Sequence, residues 1–326
     1  MGVDIGYRVE INGKDRTDDI GKNLISLLLT DEIGQKTDSC SLLIADPENK
    51  ITRPKLGAEL KVYLSEDGGK LALFGRYQIK SVSRDEREVR ITGKGFDPGS
   101  KIKSTGTHYY AQKTLKEVVD EIAKRNGVGA VVSEDFNLVR GDFNQIGESD
   151  ISYLQKLASE NGAVIKVQGE KILFTKKSSG QSASGKNLPP LSLDLKALGA
   201  RYSYSQDDSQ AAGTVIARVF DKATFDRLEI VRGSGEPRKI LPDSFSSKAL
   251  AESAADAFFR DSTESNESLS LTLPLTPSVY AERSLSVSGL SPWVDGRWIV
   301  TSVKHEIGKS FKTSMSLRKS IKEDLS

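Results

Sequence analysis

Gly75-Arg76-Tyr77-Gln78-Ile79-Lys80-Ser81-Val82 and Gly296-Arg297-Trp298-Ile299-Val300-Thr301-Ser302-Val303 read as two versions of one segment. They share Gly, Arg, Ser and Val at matching positions, with Tyr77 opposite Trp298 and Ile79 opposite Val300. Alternate residues of each fall on one face of an extended strand, so Tyr77, Ile79 and Ser81 form a row that Trp298, Val300 and Ser302 repeat. Two weaker matches keep the same order: residues 39–44 against 268–273, and Ala58-Glu59 with Val62 against Ala281-Glu282 with Val287. Alternating Ser and Leu is common in β-rich chains, so coincidence is the competing reading. A true repeat predicts one β-rich domain built twice, and three copies of such a chain can close a six-fold ring.

Composition leaves room for this. At 326 residues the chain exceeds one ordinary hydrophobic core, and two or three domains are expected. Charged residues make up 28% and hydrophobic ones 37%, which describes a globular chain and not a disordered one. Lys and Arg together outnumber Asp and Glu by 47 to 45, and no basic cluster interleaves with aromatics, so specific nucleic-acid recognition is not expected. The apolar stretch 24–29 is interrupted by Ser26 and is far too short to span a bilayer, and the first residues lack a signal peptide. Synthesis in a cytoplasm without a stable membrane anchor is the expectation. Cys40 is the single cysteine, which excludes an internal disulfide.

The local pattern predicts an α+β, mainly β architecture: two similar antiparallel β-barrel domains with an α/β domain between them. Residues 1–105 alternate short β-rich runs with turn signals, forming the first barrel. Residues 106–177 form the α/β domain. There Thr114-Leu115-Lys116-Glu117 fits a capping box, followed by Leu115, Val118, Val119, Ile122 and Ala123 at helical spacing. A second helix opens at Ser149 or Asp150, and the runs 163–167 and 171–174 form a hairpin around 168–170. The small polar residues 178–190 are a linker or loop, 191–319 a second barrel with one helix capped by Ser246 or Ser247, and 320–326 a tail.

The search for chemistry finds little. His108 and His305, the two histidines, have no metal-ligand spacing, and Cys40 sits in an alternating strand segment. Neither a nucleophile elbow nor a phosphate or dinucleotide glycine pattern is present. Glu148-Ser149-Asp150 combines two acids and a hydroxyl, but its position favours capping a helix over catalysis. No catalytic residue, metal or cofactor is expected.

Several segments together resemble the late control D family, the baseplate hub proteins of contractile-tailed phages and phage-tail-like bacteriocins. Residues 145–163 look like that family's signature, carried here by Gln145, Glu148, Ser149, Asp150, Leu154, Leu157, Ala158 and Gly162. Asp38, Arg53-Pro54, Gly57-Ala58 and 75–82 are similar to its N-terminal pattern, and Glu236-Pro237, Asp295 to Trp298 and Val303-Lys304-His305 to its C-terminal one. The resemblance implies a homotrimer forming a pseudo-hexameric ring that adapts a hexameric inner tail-tube protein to a separate trimeric spike protein, beside other baseplate proteins. Similar modules begin the spike proteins of type VI secretion. The implied place is the tail baseplate of a virion or bacteriocin particle. Two alternatives belong to other classes: a tail-associated cell-wall hydrolase, and a DNA-binding late transcription regulator, for which no helix-turn-helix is visible.

Overall fold

The structure is a computed structural model, and it describes residues 6–33, 38–65, 69–95, 101–168, 171–177, 190–207, 212–220, 227–264 and 267–319. The linker expected at 178–190, apart from Pro190, the tail at 320–326 and the turn residues 169–170 lie outside them.

In chain order the strands are β1 (Tyr7–Ile11), β2 (Lys14–Asp15), β3 (Leu24–Glu32), β4 (Ser39–Ala45), β5 (Glu59–Leu64), β6 (Ala72–Arg84), β7 (Glu88–Gly95), β8 (Thr105–Thr114), β9 (Gly129–Val132), β10 (Arg140–Ser149), β11 (Ala163–Gln168) and β12 (Lys171–Lys176). They continue with β13 (Leu191–Ser192), β14 (Arg201–Gln206), β15 (Thr214–Phe220), β16 (Arg227–Gly233), β17 (Arg238–Phe245), β18 (Glu267–Pro274), β19 (Ser284–Val287), β20 (Gly296–Gly308) and β21 (Lys312–Lys319). The helices are α1 (Thr17–Gly21), α2 (Leu115–Arg125), α3 (Asp150–Glu160) and α4 (Lys248–Glu264).

The chain divides into two compact units interleaved in sequence: Met1–Asp97, Pro190–Tyr204 and Leu269–Leu317 in the first, and Pro98–Pro189, Ser205–Ser268 and Arg318–Ser326 in the second. Residues 205–268, expected within the second β domain, thus cluster with the α/β region.

Unit 1 is built on a 13-stranded sheet whose order is β14-β18-β21-β20-β3-β4-β7-β6-β5-β1-β2, with β19 beside β20 and β13 beside β19. The α+β, mainly β class holds, but the two expected barrels do not exist. The second half of β20, Ser302 to Gly308, pairs antiparallel with β3, from Ser302↔Glu32 to Gly308↔Ser26. Each half of the sheet therefore continues into the other, and no sheet closes on itself among the described residues.

Two cores lie along this sheet, one for each half. The first gathers Val9, Leu27, Leu29, Leu42, Leu60, Val62, Tyr77, Ile79 and Ile91, and the second Leu269, Leu271, Leu285, Trp298, Val300, Val303, Met315 and Leu317. Strict alternation in β4 and β18 sends every second side chain inward, which is why Ser and Leu alternate there. Gly308 closes the join at φ +153°, where a Cβ would lie 2.4 Å from the Ile25 carbonyl oxygen, so only glycine fits.

Unit 2 carries three small sheets: β8 with β10, β11-β12-β9, and β16-β15-β17. Helices α2 and α3 bury Leu115, Val118, Ile122, Tyr153, Leu154 and Leu157 with Ile172 and Phe174, while Ala251, Ala254 and Ala255 of α4 pack on Val215, Ala217 and Ile230. The helix starts follow local chemistry. Thr114 Oγ1 accepts from the Glu117 N–H at 3.1 Å and the Glu117 carboxylate accepts from the Thr114 N–H at 2.6 Å, satisfying two donors the helix leaves open.

Candidate functional site

The signature residues converge on one buried carboxylate. Asp150 is the first residue of α3, and Ser149 before it caps the helix, its hydroxyl accepting from the Ser152 N–H at 3.3 Å. Arg125, the last residue of α2, reaches Asp150 in a bidentate pair, Nη2 donating to Oδ1 at 2.6 Å and Nε to Oδ2 at 3.1 Å. Gln145 Nε2 donates to Oδ1 at 2.8 Å and Asn126 Nδ2 to Oδ2 at 2.6 Å. Four donors thus occupy the four acceptor positions of the carboxylate.

The spacing from Gln145 to Glu148 has a backbone cause. Between them β10 slips register against β8 in a bulge, with Gly147 at φ +63° and Ile146 turned out to 73% exposure. The bulge leaves the Gln145 side chain free to fold back and donate to the Glu148 carbonyl at 3.0 Å while reaching Asp150. Tyr110 completes the cluster, its hydroxyl 3.1 Å from Arg125 Nη2 and 3.3 Å from Gln145 Oε1, with its ring stacked on Tyr153. Leu154, Leu157 and Ala158 are the apolar face of α3, and Gly162 turns the chain at φ +60° where a Cβ would press within 3.1 Å of Ala257.

Electrostatics favour the same arrangement. Asp150 lies at the positive end of α3 and Arg125 at the negative end of α2, so each charge also suits its own helix. Burial pushes the Asp150 carboxyl up, but the hydrogen bonds from Arg125, Gln145 and Asn126 outweigh it and hold the group below the usual carboxylate range. A carboxylate so saturated has no lone pair left to take a substrate proton. It joins the ends of two helices to a strand bulge.

The repeat residues lie in unit 1 on the two 13-residue strands. Gly75, Arg76, Tyr77, Ser81 and Val82 are in β6, and Gly296, Arg297, Trp298, Ser302 and Val303 in β20. Tyr77 and Trp298 are buried, as are Ile79 and Val300. Gly75 leaves the space the Tyr77 ring fills, since a Cβ there would stand 2.5 Å from its hydroxyl. The Trp298 indole Nε1 donates to the Val294 carbonyl at 2.7 Å.

The surroundings of the two strands have the same order. β6 lies between β5 and β7, β7 adjoins β4, and β4 adjoins β3; β20 lies between β19 and β21, β21 adjoins β18, and β18 adjoins β14. Residues 39–44 are in β4 and 268–273 in β18, while Val62 is in β5 and Val287 in β19.

The remaining candidates all lie within strands. Cys40 is buried opposite Gly93, and burial pushes its thiol well above its ordinary value. His108 lies in β8 opposite Gln145. His305 is fully buried in β20, with Nε2 3.1 Å from the Val279 carbonyl and Nδ1 2.9 Å from the Thr313 hydroxyl. A carbonyl only accepts, so Nε2 carries the proton and Nδ1 accepts from Thr313, whose oxygen accepts in turn from the Thr276 N–H. Among the described residues no group of three or more His, Cys, Asp and Glu could hold a metal ion, and no helix is long and apolar enough to cross a membrane.

His305 does make a testable pH dependence. Burial lowers its pKa to about 4, against the opposing pull of the Val279 carbonyl and the Asp31 charge. The unfolded chain takes up this proton near pH 6.5 and the folded chain only near 4, so the contribution is complete above the first value and lost below the second. Unit 1 is expected to lose about 3 kcal/mol across that window. Urea midpoints of wild type and His305→Gln measured through it check this, the variant showing the shallower dependence.

Arg125, Asn126 and Tyr110 were not legible as partners of the signature. The one hint was a basic residue in the last turn of a predicted helix, and nothing in the sequence aims it at a residue twenty-five positions on.

No family model matches the chain. It is 26% identical to a probable baseplate hub protein of Escherichia phage 186, with 97% of this chain and 95% of that one covered. Its fold is similar to that of a tail protein from Neisseria meningitidis, with a TM-score of 0.71 at 14% identity and coverage of 97% and 96%. It is also similar to a type VI secretion system component of E. coli, with a TM-score of 0.57 at 13% identity, over 97% of this chain and 77% of the other. In sequence along almost its whole length the chain is similar to probable baseplate hub proteins of phages, and in fold it is similar to tail proteins and to a type VI secretion system component.

Proposed function

We propose that this chain is a structural, non-enzymatic baseplate hub. Three copies form a pseudo-hexameric ring that adapts a six-fold inner tail tube to a separate three-fold spike. The observation that carries this reading is the repeated strand order in unit 1, β3-β4-β7-β6-β5 beside β14-β18-β21-β20-β19. One chain then offers two equivalent β regions, and three chains offer six. The sequence relatives named as baseplate hub proteins support the placement in the tail. The saturated Asp150 cluster supports a mechanical role, because a buried, fully paired charge network specifies one geometry.

The test is the mass and rotational symmetry of the purified protein, alone and with its spike partner. The expected result is a three-copy particle with six-fold pseudosymmetry on its tube-facing side when the spike is present. A strict monomer in both conditions overturns the ring. Solubilisation of peptidoglycan by the purified chain, lost on changing one carboxylate, would overturn the structural reading.

A further inference from the structure

The chain contains three Asn-Gly pairs, Asn12-Gly13, Asn126-Gly127 and Asn161-Gly162. In this dipeptide the side-chain amide and the next backbone nitrogen can react with each other, because glycine has no Cβ to keep them apart. Three conditions decide whether they do. The glycine N–H must be free to lose its proton, the amide nitrogen must be free to leave, and the charge that develops on the amide oxygen needs a donor.

Two of the pairs fail these conditions. Asn126 and Asn161 follow α2 and α3, and each folds its amide back on its own helix. Asn126 Nδ2 donates to the Ile122 carbonyl at 2.8 Å and to Asp150 Oδ2 at 2.6 Å, and Asn161 Nδ2 to the Leu157 carbonyl at 2.9 Å. Both leaving groups are thus committed. Their Oδ1 atoms are buried and meet no donor among the described residues, so charge developing there would be unsupported. The Gly127 N–H is bonded to the Lys124 carbonyl at 3.0 Å, and Asn161 is buried.

Asn12 meets all of them. Asn12 and Gly13 form the turn between β1 and β2, at φ +50° and +72°, with Ile11 paired to Lys14 across it. Both are exposed, and a Cβ on Gly13 would meet nothing within 4 Å. The Asn12 N–H donates to the Glu59 carbonyl at 2.9 Å, and Asn12 Oδ1 accepts from the Glu59 N–H at 3.0 Å. That second bond polarises the amide carbon and places a donor where negative charge develops. Asn12 Nδ2 and the Gly13 N–H make no hydrogen bond among the described residues.

We propose that Asn12 is a self-modification site, at which the folded chain converts this asparagine to aspartate and isoaspartate with water as the co-reactant. The Gly13 nitrogen gives its proton to solvent and attacks Asn12 Cγ, and the new C–N bond closes a succinimide ring. The Cγ–Nδ2 bond breaks as Nδ2 takes a proton from water and leaves as ammonia. Water then opens the ring at either carbonyl. Breaking the ring bond to Cγ gives aspartate on the original backbone. Breaking the bond to the Asn12 carbonyl carbon gives isoaspartate, whose backbone runs through Cγ and is longer by a methylene.

The two products act differently on the fold. Aspartate still offers an oxygen to the Glu59 N–H, so the turn survives. The added methylene of isoaspartate does not fit so tight a turn, and it breaks the pairs Ile11↔Lys14 and Glu10↔Asp15 that hold β2, the strand ending the sheet order. An ageing chain therefore loosens first at the β1–β2 turn. The Asp150 cluster is spared, although conversion of Asn126 would set a second carboxylate beside Asp150 in place of a donor.

Peptide mapping tests the assignment. The full chain is incubated at mildly alkaline pH in water enriched in a heavy oxygen isotope, once folded and once in urea. Mass spectrometry with fragmentation that separates isoaspartate from aspartate then reads the three Asn-Gly peptides. In the folded chain the expected result is loss of the amide at Asn12 with uptake of labelled oxygen and both products, while Asn126 and Asn161 stay intact. In urea all three convert. Asn12 left intact in the folded chain over the time in which urea converts it overturns the proposal. Conversion of Asn126 or Asn161 in the folded chain as fast as Asn12 also overturns it. Hydrogen exchange at Ile11 and Lys14 checks the consequence: faster exchange is expected in the isoaspartate fraction and unchanged exchange in Asn12→Asp. Unchanged exchange in the isoaspartate fraction overturns the loss of pairing.

Discussion

Arg125→Ala is expected to destabilise unit 2 by about 3–5 kcal/mol, because it removes one partner of a buried ion pair and strands the other. Asp150 would keep Gln145 and Asn126 as donors but lose both bonds from the guanidinium. Arg125→Lys should recover only part of the loss, since an ammonium cannot reproduce the fork that meets both carboxylate oxygens. The acid side of the stability curve supplies a second readout. The Asp150 pKa is depressed in the folded chain, so its contribution is present above its unfolded value and disappears as pH falls through the folded one. In Arg125→Ala that acid loss should shrink. Urea midpoints at neutral pH and across the acid range check both statements, and an unchanged midpoint would show that the cluster is not a stability element.

Trp298→Ala is expected to cost unit 1 about 3–5 kcal/mol, the range for deleting a large aromatic from a packed core. Trp298 is fully buried among Leu269, Leu285, Val300 and Leu317, and its indole N–H is committed to the Val294 carbonyl. Trp298→Phe keeps most of the apolar contact and loses the hydrogen bond, leaving the Val294 carbonyl without that donor, so an intermediate loss is expected. Fluorescence separates the effects, because the chain has two tryptophans and the other, Trp293, is 74% exposed. The blue-shifted emission should vanish in Trp298→Phe while that of Trp293 remains. Tyr77→Ala, at the matching strand position of the first half, should destabilise the same unit. A variant there without effect would argue against equivalent roles for the two strands.

The two halves of the problem differed in how much could be read locally. Helix starts were legible because caps are chemistry over three or four residues: Thr114 with Glu117, and Ser149 before Asp150, bond backbone groups within their own turn. Strand faces were legible because alternation decides which side of a pleat is buried. Glu148-Ser149-Asp150 could be placed at a helix start, yet the reason for Gln145 could not, since it depends on a bulge that folds its amide back over Glu148.

By itself the sequence determined the mainly β character, the caps of α2 and α3, the buried rows beginning at Tyr77 and Trp298, and a resemblance to tail hub proteins. These follow from periodicity and short-range hydrogen bonding, which every residue expresses with its immediate neighbours. Tertiary structure alone decided that β3 lies along β20, so that two expected barrels became one open sheet, and that Arg125 closes on Asp150. Both depend on which distant strand edge or charge comes within reach after the chain has collapsed, and sequence spacing carries no record of that distance.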